Sequence, residues 1–260
     1  GHFGPNPECY QDQVVERVAA FLRGPREPQF QRRTIQVGEQ SRQIYLYLPD
    51  AYGSQPLPVV LALHGYGTTA TGLASAHALN QHANANDYIV VYPQGAGFYS
   101  NTAWQEGEDW VSSWNDLASN FPMEAGPHCL PDRLDYPCYP GCGDCKACDW
   151  TSCEDDVTFL LQVVDEVQES LLTDPERLYL LGNSNGGSMV QRLGCDHPER
   201  FAAVAIMIYQ MPPGHACGPE QPLPMFHYYG DLDDGVPADG QPSPYGWIYT
   251  SAKENTRIWA

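Results

Sequence analysis

The chain has 260 residues, enough for one large domain, and with 42% hydrophobic and 17% charged residues it is globular rather than disordered. A formal net charge of −19 repels a phosphate backbone and speaks against nucleic acid as a partner. No apolar run approaches the roughly 18 residues that a bilayer span requires, so no membrane partner is expected.

Residues 1–5 lack the basic and then apolar stretches of a secretory leader, as expected of a mature or trimmed chain. Between Cys9 and Arg23, the apolar residues Val14, Val15, Val18, Ala19, Phe21 and Leu22 predict a short amphipathic helix. A Pro-rich link over 24–28 follows. Residues 34–37 and 43–48 read as two antiparallel strands, the second alternating Ile44, Leu46 and Leu48 with Tyr45 and Tyr47. The continuous apolar runs over 57–63 and 88–93 predict parallel strands buried on both faces, with an Ala-rich helix over 72–85 between them. Residues 95–153 look irregular and too long for an ordinary connection. The clearest helix spans 155–172, where Val157, Leu160, Leu161, Val164, Val167 and Leu171 fall at three-and-four spacing. A strand over 177–181, a helix over 188–195, strands over 201–208 and 224–229 and a helix over 251–259 complete the pattern. Strands alternating with helices imply a mostly parallel sheet with helices on both faces.

Residues 180–187 read Leu-Leu-Gly-Asn-Ser-Asn-Gly-Gly, which is a strand end, a G-x-S-x-G turn at Gly182, Ser184 and Gly186, and a helix start. A serine nucleophile needs this shape. It must stand on a sharp, strained turn so that its hydroxyl clears the sheet, with glycine where a side chain would collide. The following helix aims its N-terminus at the place where negative charge develops. A tetrahedral intermediate needs preorganised N–H donors. The candidates are the backbone of Asn185 and that of Tyr66 in the loop His64-Gly65-Tyr66-Gly67. His64 precedes that loop and reads as a buried, hydrogen-bonded histidine rather than the base. Downstream, the turn Gly230-Asp231-Leu232-Asp233-Asp234-Gly235 offers three aspartates that compete to orient a catalytic histidine, or else form a solvated loop or cation site.

In order along the chain, these motifs resemble the α/β-hydrolase esterase family that includes secreted polyhydroxybutyrate depolymerases and feruloyl or acetylxylan esterases. Residues 58–67 resemble its apolar strand and His-Gly loop, and 90–93 its second strand. Ser113-Trp114-Asn115 and residues 155–159 resemble two further signatures, 182–187 the serine elbow, and 201–205 and 230–237 the next strand and acid loop. The resemblance implies an α/β-hydrolase fold, with a mostly parallel central sheet flanked by helices. It implies one catalytic domain over 1–260, with a Cys-rich insertion at about 95–153 and the C-terminal part of the fold beyond the sequence. Ser184 takes the nucleophile's place and Asp233 the acid's, with Asp231 and Asp234 beside it. The implied activity is that of a secreted serine carboxylic-ester hydrolase, working through an acyl-enzyme and without a cofactor. Its substrates would be polyester or plant-polysaccharide esters (polyhydroxyalkanoate, feruloyl or acetyl esters). One element departs. The family carries its histidine in a loop well after the acid, and no histidine follows Asp233. The base is therefore expected beyond residue 260. The alternatives are a short form or binding protein impaired in catalysis, and an unusual base from an earlier position, with His128 the candidate.

Nine cysteines are many for a cytosolic enzyme and suggest an oxidising compartment. Cys195 and Cys217 resemble a disulfide of the family. Cys129, Cys138, Cys142, Cys145, Cys148 and Cys153 crowd the insertion. Their spacing fits no common metal cluster throughout, so disulfides are expected rather than a metal, with the connectivity open. The insertion, just ahead of Asp155, is expected to form a lid or rim over the site. Tyr66, Trp104, Trp110, Trp114 and Trp247 are candidates to stack on aromatic or sugar groups, or else core residues.

Overall fold

The structure is a computed structural model that describes residues 29–100, 109–116, 128–130, 136–143, 145, 148–215 and 217–260. The expected helix over 9–23, with Cys9, and Trp104 lie outside the described residues.

β1 (Phe30–Val37) and β2 (Gln40–Tyr47) pair antiparallel about Gly38 and Glu39. Gly38 has φ +58°, a conformation that glycine reaches at no steric cost. The hairpin begins before the expected strand because an edge strand facing water has no apolar alternation to read. β3 (Leu57–Leu63) and β4 (Ile89–Pro93) are parallel, and every residue of β4 is buried. Two helices link them, α1 (Ala70–Ala76) and α2 (Leu79–Ala85), where the sequence predicts one. In a continuous helix Leu73 and Leu79 would lie roughly 120° apart. The break at His77 and Ala78 returns both leucines to the same apolar cluster.

The segment over 95–153 is not wholly irregular. β5 (Ala96–Ser100) and β6 (Asp109–Ser113) form a separate antiparallel pair. α3 (Asp156–Ser170) is capped by Asp155, whose side chain accepts from the Thr158 N–H at 3.1 Å. It buries Phe159, Leu160, Val163, Val164 and Val167. β7 (Thr173–Asn183), α4 (Asn185–Asp196), β8 (Ala203–Met207), β9 (Met225–Tyr228) and α5 (Ala252–Trp259) complete the described elements. The main sheet has the order β1-β2-β4-β3-β7-β8-β9 and is parallel from β4 onward.

α3 and α4 cover one face of this sheet, over the larger core, and α1 and α2 cover the other over β2, β4 and β3. On that second face Phe226 and Tyr228 of β9 are 64% and 55% exposed. No described helix is long and apolar enough to cross a membrane.

A buried ion pair ties the layers together. The Arg42 guanidinium on β2 lies 2.7 Å from Asp156 Oδ1 at the start of α3, and stacks 4.0 Å from the Phe159 ring. Asp156 Oδ2 accepts from the Asn115 N–H at 2.7 Å and from Ser152 Oγ at 2.8 Å. Asp156 is wholly buried. Removing either partner leaves the other charge buried without its counter-ion, so Arg42→Ala or Asp156→Ala is expected to cost about 3–5 kcal/mol in urea unfolding. A loss under about 1 kcal/mol would mean that the pair is solvated and not part of the core.

Candidate active site

β7 runs directly into the turn at Ser184, and α4 begins at the next residue. Ser184 has φ +53° and ψ −123°, a backbone conformation that residues other than glycine seldom adopt. Packing imposes it. A Cβ on Gly186 would lie 2.4 Å from the Leu63 carbonyl oxygen and 2.5 Å from that of His64, and one on Gly182 would lie 2.2 Å from the Gly186 carbonyl oxygen. Only glycine permits these approaches. The helix therefore starts at Asn185 and not at 188, although glycines in its first turn are poor helix formers. The Ser184 N–H donates to the Met207 carbonyl at 2.9 Å, and the Ser184 carbonyl accepts from the Ser188 N–H at 3.0 Å. Ile208, next to Met207, has φ +55°, so strain extends to the end of β8.

The His64 loop lies against this turn, so close that a Cβ added to Gly65 would fall 3.4 Å from Ser184 Cβ. Two of its N–H groups are committed: Gly67 donates to Ser112 at 2.8 Å and Thr68 to Gly65 at 3.3 Å. The Tyr66 ring packs edge-on to Tyr136 and near Trp150. His64 is wholly buried. Its Nε2 accepts from the Gly95 N–H at 2.9 Å, which fixes the tautomer whose Nδ1–H donates to the Gly65 carbonyl at 2.9 Å. Burial pulls its pKa down to about 4, with Arg42 adding to the fall and the Gly65 carbonyl opposing it. Such a ring is a neutral structural strut.

Asn185 is wholly buried, and its carboxamide binds the Ser113-Trp114-Asn115-Asp116 segment after β6. The Trp114 indole N–H donates to the His64 carbonyl at 2.8 Å, which joins that segment to the loop as well. The sequence suggested this segment only as a signature, and its hydrogen bonds to residue 185 were not legible there.

Asp233 follows β9, one strand beyond β8 from the serine. Its Oδ1 accepts from the Gly235 and Val236 N–H groups at 2.9 and 3.0 Å. Asp231 and Asp234 are exposed, whereas Asp233 is half-buried. Asp233 lies close enough to Tyr249 to raise its phenol pKa, after burial, Tyr136 and Asp116. Tyr249 in turn packs edge-on to Tyr209, which is wholly buried beside α4. His227 is no base, since its Nε2–H donates to the Tyr209 carbonyl at 2.8 Å and burial lowers its pKa. His128 is buried and packs edge-on to His215.

The cysteines are paired Cys129–Cys148, Cys138–Cys145, Cys142–Cys153 and Cys195–Cys217. The described part of the insertion is not a lid. Trp150, Thr151 and Ser152 are buried, and Trp150 stacks on Trp247 at 4.0 Å. Trp114 and Trp247 are core residues, unavailable for stacking on a substrate, and Trp110 covers the place where a Gly97 Cβ would stand.

A parallel sheet flanked by helices, with a strained serine between its central strand and a glycine-rich helix, defines an α/β-hydrolase. Comparison with known proteins narrows the class. The profile of the prolyl oligopeptidase family, Peptidase S9, matches residues 152–208. The chain is 29% identical over 240 residues to a Nocardia uniformis subsp. tsuyamanensis protein carrying the name esterase NocK, a match that covers 91% of this chain and 58% of that one. It is 30% identical over 116 residues to feruloyl esterase B of Piromyces equi, covering 41% of this chain and 21% of that one. Acetylxylan esterase A of Emericella nidulans and a poly(3-hydroxybutyrate) depolymerase of Ralstonia pickettii match at 25% and 26% identity. A thermostable esterase of solved structure shares the fold, with a TM-score of 0.50 and 18% identity over 88% of this chain and 50% of that one. The chain thus spans less than two thirds of the length of these relatives. These matches support an α/β-hydrolase of the esterase type.

The state of His64 has a consequence in solution. Above pH 6.5 the ring is neutral in both folded and unfolded chains and contributes no pH dependence. As pH falls from 6.5 towards the folded value of about 4, the unfolded chain takes up a proton that the folded one refuses, and stability drops by about 3 kcal/mol in all. Below that the penalty is constant. Urea unfolding at about pH 7 and about pH 4.5 is expected to show a larger acid loss for the wild type than for His64→Asn, and equal losses would contradict a neutral buried ring.

Proposed function

We propose that the protein is a serine carboxylic-ester hydrolase with Ser184 as nucleophile, the backbone N–H groups of Asn185 and Tyr66 as oxyanion donors, and Asp233 as the acid that orients a catalytic histidine. The observation that carries this reading is the backbone of Ser184. A conformation of that kind costs of order 1–3 kcal/mol, and it persists where a function requires it. In the reaction, a histidine takes the Ser184 hydroxyl proton as Oγ adds to the ester carbonyl. The oxyanion rests on the two N–H groups. The C–O bond to the alcohol then breaks, and the alcohol leaves with that proton. Water, deprotonated by the same imidazole, releases the acid and restores the serine. The base is a histidine other than His64 and His227, whose ring nitrogens are engaged by backbone groups and, at His227 Nδ1, by the Thr256 hydroxyl.

Relatives named for feruloyl esters, acetylxylan and poly(3-hydroxybutyrate) support an ester of a plant polysaccharide or a polyester as substrate. Dense cross-linking by disulfides supports an extracellular location, since such bonds persist in oxidising compartments. The prolyl oligopeptidase match favours a second reading, peptide hydrolysis, but it covers α3, β7, the serine turn, α4 and β8, which identify no leaving group.

A fluorophosphonate probe is expected to label Ser184 in the wild type and to leave Ser184→Ala unlabelled. Turnover of p-nitrophenyl acetate is expected to fall by about 10³-fold or more in that variant. A folded wild type that neither labels nor turns over ester would instead be a binding protein. Faster cleavage of peptide anilides than of esters would make it a peptidase.

A further inference from the structure

We infer that Asp116 is a positioning residue for the oxyanion hole, acting through the side chain of Asn185. The inference rests on the reading of the Asn185 N–H as an oxyanion donor. That N–H belongs to the peptide that follows the strained Ser184, so any relaxation of the serine backbone would rotate it away. An oxyanion donor works only when it is held in place before the charge develops. Something must therefore grip residue 185 from outside the turn.

The Asn185 carboxamide supplies that grip, because all four of its hydrogen-bonding positions are filled. Oδ1 accepts from the Trp114 N–H at 2.9 Å and from Ser113 Oγ at 3.2 Å. Nδ2 donates to Asp116 Oδ2 at 2.9 Å and to the Trp114 carbonyl at 3.3 Å. Of these partners, only Asp116 is a carboxylate, and hydrogen bonds to a charged acceptor are shorter and stronger than neutral ones. Asp116 is 5% exposed and cannot hand the bond over to water. It is itself held, since its Oδ2 also accepts from the Trp150 indole N–H at 3.1 Å and its own N–H donates to the Trp114 carbonyl at 3.0 Å. Trp150 stacks on Trp247 at 4.0 Å, between the cross-linked residues Cys148 and Cys153. A line of contacts thus runs from the disulfide-stapled segment through Trp150 and Asp116 to the residue beside the nucleophile. Without Asp116, one amide hydrogen of Asn185 and the Trp150 indole N–H would be left unsatisfied in the interior.

The test compares Asp116→Ala, Asp116→Ser and Asp116→Asn in the whole protein. Ala removes the acceptor, Ser retracts it out of reach, and Asn keeps an oxygen in place without the charge. Two readouts are needed. The first is amide hydrogen exchange over residues 182–190, which does not depend on turnover. The second is ester hydrolysis resolved into kcat and KM. The expected result for Ala and Ser is faster exchange confined to the serine turn, with kcat lowered about 10- to 100-fold and KM nearly unchanged. Asn, which keeps an acceptor but not the charge, is expected to restore both in part, with exchange and kcat falling between those of Ala and the wild type. Should Ala fail to fold, the Ser variant carries the comparison. Unchanged exchange at the turn in a folded Ala or Ser variant overturns the proposal, as does loss of protection spread over the whole sheet. If the wild type hydrolyses no ester, the catalytic reading fails, while the exchange data still decide whether Asp116 holds residue 185.

Discussion

The first turn of α4 approaches the end of β3 so closely that no side chain fits between them. At Gly186 a methyl group would sit at 2.4–2.5 Å from two carbonyl oxygens, and at Gly182 it would strike the Gly186 carbonyl. Strand, turn and helix can meet this way only if the residue between them takes up the bend, and Ser184 does so at φ +53°. The strain is over-determined rather than accidental. The serine N–H is bonded to the end of β8, and its carbonyl starts the helix. Because α4 is locked by backbone contacts, its N-terminal dipole has a fixed aim, with a partial positive charge beside Ser184.

Polar groups in the surrounding core extend that rigidity. Two buried carboxylates do different jobs within a few residues of each other in space. Asp156 pairs with Arg42 and joins β2, α3 and the segment after β6. Asp116 accepts from the Asn185 amide and the Trp150 indole. Asn115 lies between them, with its N–H on Asp156 and its carbonyl bonded by Arg192 of α4. Removing water strengthens each of these bonds and makes each unpaired end costly, so the network specifies one arrangement of loop and helix rather than several.

The sequence revealed what is local and periodic. The buried strands 57–63 and 89–93, the helix after Asp155 and the G-x-S-x-G turn all announce themselves through apolar runs, three-and-four spacing or glycine placement, and the structure has them there. What escaped was set by partners distant in the chain. The hairpin of β5 and β6 has too few apolar residues to show alternation, and Gly97 sits under Trp110. The break between α1 and α2 serves leucine contacts with the sheet that no local signal marks. Trp114 and Trp247 looked equally suited to a binding face and to the core, because side-chain type does not encode burial. The grip of Asn185 depends on hydrogen bonds spanning about seventy residues of chain.

The same long-range logic explains why a cysteine-rich segment that reads as a lid or rim packs as a brace rather than a lid. Residues 128–130 pair with 246–248 through the Cys129–Trp247 bridge and two further backbone bonds. Trp150, Trp247 and Tyr249 then form a continuous aromatic stack, and Tyr249 feels the charge of Asp233. A lid has to open at little cost, and lifting Trp150 would expose a large apolar ring and break its bond to Asp116. Holding two stretches about a hundred residues apart in one aromatic cluster costs chain entropy. Three disulfides within 129–153 reduce the cost of ordering the first of these stretches by restricting its unfolded chain, each by roughly 2–4 kcal/mol in the chain-entropy account. Oxidation of these cysteines therefore stabilises more than the segment that contains them. It supports the wall that holds the serine turn through Asp116 and Asn185.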